Sequence, residues 1–244
     1  AYEAELPLLE NRCQDDNWAK ATLDLIHYLF WVDESEALRW AVPRYLEFMA
    51  YNRDLLNGLV SVIARWKHLS EGRERLYKVF SAGKEDVETL IKVLTRLSER
   101  GWFDGKEAEE RQAILSLHQG TLLLRQGHYR TAQQRYEQTE SGLPPEGHIL
   151  KNKLADAYEL LAHRLLWPSN RYNPNYDLVA EQILNRVLEW YPERSYSWYL
   201  LGVNLGAAEQ EDEAIAALQR AIELNPHYSA AYTALGNLYA EMDR

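Results

Sequence analysis

The chain has 244 residues and a formal net charge of −10, long enough for a sizeable core and too acidic to favour a phosphate backbone, so nucleic-acid binding is not expected. No apolar run reaches bilayer-spanning length, so membrane insertion by this chain is not expected either. Its one cysteine, Cys13, can close no internal disulfide and build no thiolate metal site.

With 12 Gly, 8 Pro, no alternating β-branched runs and periodic Leu, Ala, Trp and Tyr, the sequence predicts an all-α chain. Residues 1–14, with Pro7, read as an irregular or weakly helical lead. Asp16 or Asn17 can cap a helix through Trp18, Leu23, Leu25, Ile26 and Leu29 that ends near Val32. The run Asp33-Glu34-Ser35-Glu36 opens a second helix with carboxylates, where the helix dipole favours them. That helix carries Leu38, Trp40, Tyr45, Leu46 and Phe48, and Pro43 predicts a kink or a boundary. A third helix is expected from Arg53 to near Leu69, with Leu55, Leu56, Leu59, Val60, Ile63 and Trp66 on its apolar face. Shorter helices follow from Arg73 to Phe80 and from Glu85 to Glu99. Gly101 and Gly105 then bracket a loop whose Trp102 and Phe103 fold back onto the helices. Residues 1–104 form an N-terminal helical region of paired helices without a clean repeat signature.

From residue 105 a pattern of small and large positions sets in. Ser116, Gly120, Leu123, Gly127, Tyr129, Ala132, Tyr136, Thr139 and Pro144 mark a unit over residues 113–146. Tyr158, Leu161, Ala162 and Leu165, then Ala180, Leu184, Val187 and Pro192, mark a second over 151–194. Its connection is too long by about six residues and holds an insertion at 167–177, rich in Pro, Asn and Tyr. Such insertions map to loops on one face, either tolerated or part of a binding face.

A unit over 195–228 and a partial one over 229–244 follow, and these two superimpose on a shift of 34 residues. Trp198 falls on Tyr232, Leu201 on Leu235, Gly202 on Gly236 and Leu205 on Tyr239. Trp198, Leu201 and Leu205 share one face of a first helix. Gly202 and Ala214 are small where two backbones approach, Leu218 and Ala221 continue the stripe on a second helix, and Asn225-Pro226 stops it. This order of residues at this period resembles the tetratricopeptide repeat family. Residues 1–104 are then either degenerate units of that family or another helical-repeat type. Because Leu235-Gly236 and Tyr239 look like an internal repeat rather than a polar cap, the chain is expected to be a piece of a longer protein.

The resemblance implies a right-handed superhelical α-solenoid of antiparallel helix pairs. Its concave face would be lined by the first helix of each pair and would receive a partner peptide or helix. First-helix residues not spent on the core are the candidates for that groove: Leu117, Thr121 and Arg125 in the earliest unit, Tyr196, Tyr199 and Val203 in the clean one, Thr233 and Asn237 in the last. Tyrosine is enriched at interfaces, which singles out Tyr196 and Tyr199. Chaperone adaptors of this family that grip a terminal carboxylate carry lysine and asparagine on these helices. Only Asn237 fits, so that use is not expected.

No catalytic constellation stands out. The seven histidines include no pair at helical metal-ligand spacing with a third ligand nearby, and no phosphate loop, nucleophile elbow or dinucleotide fingerprint occurs. No catalytic residue, metal or cofactor is expected. From Asp177 onward eleven acidic residues face four arginines, which makes a basic or neutral protein or peptide the expected partner. The leading reading is a non-catalytic protein-interaction scaffold. The alternative is a substrate-recruiting or regulatory part of a larger enzyme, such as a glycosyltransferase, with catalysis outside this chain; self-association through the last unit is a third.

Overall fold

Four polar side chains, Asp15, Asp33, Asn52 and Asp86, each start a helix by accepting hydrogen bonds from backbone amides one turn on. They satisfy donors that a helix start leaves without intrahelical partners. Asp15, rather than Asp16 or Asn17, takes this role for the first long helix, because its oxygen reaches both Asn17 N and Trp18 N. The computed structural model describes residues 8–82, 86–105, 107–167 and 174–242. Among these residues it is all-α: α1 (Leu9–Gln14), α2 (Asp16–Val32), α3 (Glu34–Tyr51), α4 (Arg53–Trp66), a 3-10 turn (Lys67–Leu69), α5 (Glu71–Ala82), α6 (Val87–Glu99), α7 (Ala108–Arg125), α8 (Tyr129–Ser141), α9 (Ile149–Leu166), α10 (Pro174–Trp190), α11 (Ser195–Ala207), α12 (Glu211–Leu224) and α13 (Ser229–Met242). No helix among the described residues is long and apolar enough to cross a membrane.

The chain divides into two compact units, Ala1–Leu154 and Ala155–Arg244. The change of repeat type expected near residue 105 is a different kind of boundary and falls inside the first unit.

In the first unit, Leu9 and Cys13 on α1 are fully buried, so part of the lead expected to be irregular or weakly helical is a packed helix. Six residues are too few to hold a helix by local bonds. Tertiary contacts hold it instead: Glu10 accepts from His148 N (3.1 Å) and Ile149 N (2.9 Å) at the start of α9, and Arg12 pairs with Glu107 at 2.6 Å. Arg111 on α7 extends the ion pairs, reaching Glu107 at 3.1 Å and the fully buried Glu47 of α3 at 2.8 Å, and Glu47 in turn accepts from Arg44. Pro43 lies inside α3 without ending it, and residues on both sides of the proline, among them Ala37, Ala41, Leu46 and Phe48, are fully buried. In the loop after α6, Phe103 is buried, and Gly101 and Gly105 take positive φ.

Small residues set the helix pairs. A β-carbon added to Gly120 on α7 would meet Tyr136 Cε1 at 2.5 Å and Ala132 O of α8 at 3.2 Å. In the second unit Gly202 stands in the same relation to α12. At Gly236 on α13 nothing lies within 4 Å, so the same sequence position is open. The α7–α8 and α11–α12 turns are also alike: Gly127 and Glu209 both take positive φ, and the following amides reach back to Leu123 O and Leu205 O at 2.9 Å each.

Candidate functional site

The second unit carries a run of aromatic rings along α9, α11 and the start of α13. His163 and Trp167, one turn apart, meet with centroids 4.8 Å apart. Trp167 stacks on Tyr199 at 6.4 Å with 15° between planes, Tyr199 on Tyr196 at 6.2 Å and 22°, and Tyr228 lies 5.1 Å from Tyr199. Such offset stacks are preferred geometries for π-systems. Tyr196, Tyr199 and Val203 share a helix face because they recur at three and four residues, and all three are half-buried. Trp167 is 43% exposed, a large apolar surface facing water beside them.

A polar floor holds this face in place. Glu159 of α9, itself buried, accepts from Ser197 Oγ at 2.5 Å and from Arg194 at 2.9 Å, and Arg194 also pairs with Asp156 at 2.7 Å. Ser197 is fully buried between Tyr196 and Trp198, so its hydroxyl is spent on locking α11 against α9. Burial, Glu159 and Tyr199 push the Tyr196 phenol up, and burial with Tyr199, Tyr196 and Glu159 pushes Tyr228 up as well. Both phenols therefore stay protonated donors at neutral pH. Burial and the Arg164 cation hold His163 below its usual value, so the imidazole is neutral, and its buried Nδ1 has no hydrogen-bond partner among the described residues. Buried polar atoms are normally satisfied, so an open one at a surface site favours water or a ligand there.

The other predicted residues are placed as follows. Thr233 and Asn237 are exposed on one face of α13, with the Thr233 hydroxyl donating to Ser229 O at 3.0 Å. Leu117, Thr121 and Arg125 lie in the first unit on α7. Steps of four residues rotate about 40° around a helix, so this row walks from the buried Leu117 through the half-buried Thr121 to the exposed Arg125. Leu117 is 4% exposed and is spent on packing. Thr121, Arg125 and His118 of α7 line a cavity of about 470 Å³ together with residues of α3, α4, α6 and α9, among them Arg53 and Lys153.

Several of these residues escape sequence reasoning. Trp167 falls in a stretch whose composition reads as inserted loop, yet its amide still bonds His163 O, which keeps it on the end of α9. Residues 168–173 of the expected insertion lie outside the described residues. His163 sits four residues before Trp167, and that spacing was the available signal.

Residues 207–243, which hold α12 and α13, match the family model described as TPR repeat. Over these residues the chain is similar to a tetratricopeptide repeat. Within this stretch α12 ends at Leu224, and the amide of Asn225, just before Pro226, still reaches Ala221 O. Tetratricopeptide stretches serve in general as protein-interaction scaffolds with concave binding surfaces. Among solved structures, MamA AMB-1 is similar at 20% identity over 72% of this chain and 85% of that chain, with a TM-score of 0.47, too loose a superposition to carry a fold or a function across. No curated protein matches the sequence.

Proposed function

We propose that the chain is a non-catalytic scaffold whose second unit docks an extended or helical segment of a partner protein bearing basic residues. The segment lies over Trp167, Tyr199, Tyr196 and Tyr228, with Val203, Thr233 and Asn237 continuing the surface. The observation that carries this reading is the stacked, partly exposed aromatic run on α9, α11 and the start of α13. Tyrosine and tryptophan supply large rigid contact area at low entropic cost. Their faces also attract guanidinium and ammonium groups. The eleven acidic residues after residue 176, against four arginines, add a long-range preference for a basic partner.

Display selection of random peptides on the full chain tests this. Selected peptides should be enriched in Arg and Lys, bind more weakly as salt rises, and lose about tenfold or more in affinity to the Tyr196→Ala/Tyr199→Ala variant. Acidic selected sequences, or equal affinity for the double variant, would refute the assignment.

A further inference from the structure

The cavity in the first unit has a chemistry opposite to that of the chain as a whole. In a protein of net charge −10, no carboxylate among the described residues lines this space, whereas Arg53, Arg125 and Lys153 do. Lys153 donates to Ala50 O, which fixes its ammonium at the wall. Arg53 and Arg125 are in no ion pair among the described residues, although the neighbouring Glu88 is paired with Lys92.

Asn52 and Thr121 add polar groups already hydrogen-bonded to Cys13 O and Leu117 O, and Met49, Leu56, Val87, Leu90 and Leu122 from four helices supply an apolar wall. The two phenols that reach it are already used: Tyr45 donates to Phe80 O at 3.0 Å and Tyr51 donates to Glu110. Burial and Lys153 hold His118 neutral, down to about 4, so the imidazole adds a hydrogen-bonding group without charge. An apolar concavity of a few hundred Å³ with a small number of convergent polar groups is the usual form of a small-ligand site.

We propose that this cavity binds a medium-chain carboxylate, its head group held by Arg53 and Arg125 and its hydrocarbon tail laid over Met49, Leu56, Val87 and Leu90. The charge selects an anion, and the arginine fork suits a planar carboxylate. The enclosing lining from several helices suits a compact apolar tail rather than a peptide running along one helix face. This site is independent of the aromatic surface of the second unit.

Titration calorimetry of the full chain with decanoate, decanol and decylamine, all below their aggregation limits, tests the assignment. Decanoate should bind saturably at one site, with decanol at least about tenfold weaker and decylamine not bound. The Arg53→Ala/Arg125→Ala variant should lose about tenfold or more in decanoate affinity with its helical circular dichroism unchanged, whereas Arg53→Lys/Arg125→Lys should retain part of it. Absence of saturable decanoate binding, equal binding of decylamine, or unchanged decanoate affinity in the alanine variant would each overturn the proposal.

Discussion

Gly202 lies so close beneath Leu218 that a β-carbon added to it would sit 2.6 Å from Leu218 Cγ and 3.2 Å from Ala214 O. Two backbones can come this near only where one of them carries no side chain. Gly202→Ala should therefore destabilise the chain by about 1–3 kcal/mol through overpacking, despite the better helix propensity of alanine. At Gly236, where the space is open, the same change should stabilise by up to about 1 kcal/mol. Urea unfolding of the two variants checks the opposite signs, and equal effects would contradict the packing argument.

Glu47 is fully buried and accepts from Arg44 and Arg111. Removing one member of a buried ion network leaves the others desolvated and uncompensated. Glu47→Ala should cost about 3–5 kcal/mol, far more than the loss of the exposed Glu71, whose pairing with Arg75 is worth about 0–1 kcal/mol. Denaturant melts of both variants give the comparison.

His118 titrates differently in the folded and unfolded chains. Its ordinary value is 6.5, and burial with the nearby Lys153 lowers it to about 4 in the native structure. Between these values the folded state binds fewer protons than the unfolded one. The stability linked to a neutral His118 is thus complete above pH 6.5 and lost as pH falls through about 4. His118→Gln removes that dependence, so stability curves of wild type and variant should converge or cross on acidification between these limits. Parallel curves would show that His118 is not held neutral.

Burial raises the Cys13 thiol to about 12, and its side chain has no exposure. The thiolate is the reactive form. Cys13 should resist a disulfide reagent in the native chain and react readily in denaturant. Rapid native labelling would mean that α1 does not stay packed in solution.

The second unit was legible because its signals are local and repeat. Gly202, Ala214, Leu218 and Pro226 recur at family spacing, and each acts on its sequence neighbours. The first unit hides its organisation because its decisive contacts span long separations: Glu10 caps a helix that begins at Ile149, and Arg12 reaches Glu107. No periodicity marks such a pair. Of the candidate site, Tyr196 and Tyr199 were readable from their offset on the helix beside Trp198. Trp167 was masked by the Pro- and Asn-rich composition after it, and Leu117 was assigned to the surface although four-residue steps turn it into the core. The cavity was invisible in sequence because five separate helices contribute to its wall.

Hydrogen–deuterium exchange of the full chain with and without a selected basic peptide tests the central claim most directly. The account predicts slowed exchange in α11 and α13 and at the end of α9, with α10 and α12 unaffected. Protection confined to α10 and α12, or to the first unit, would contradict it.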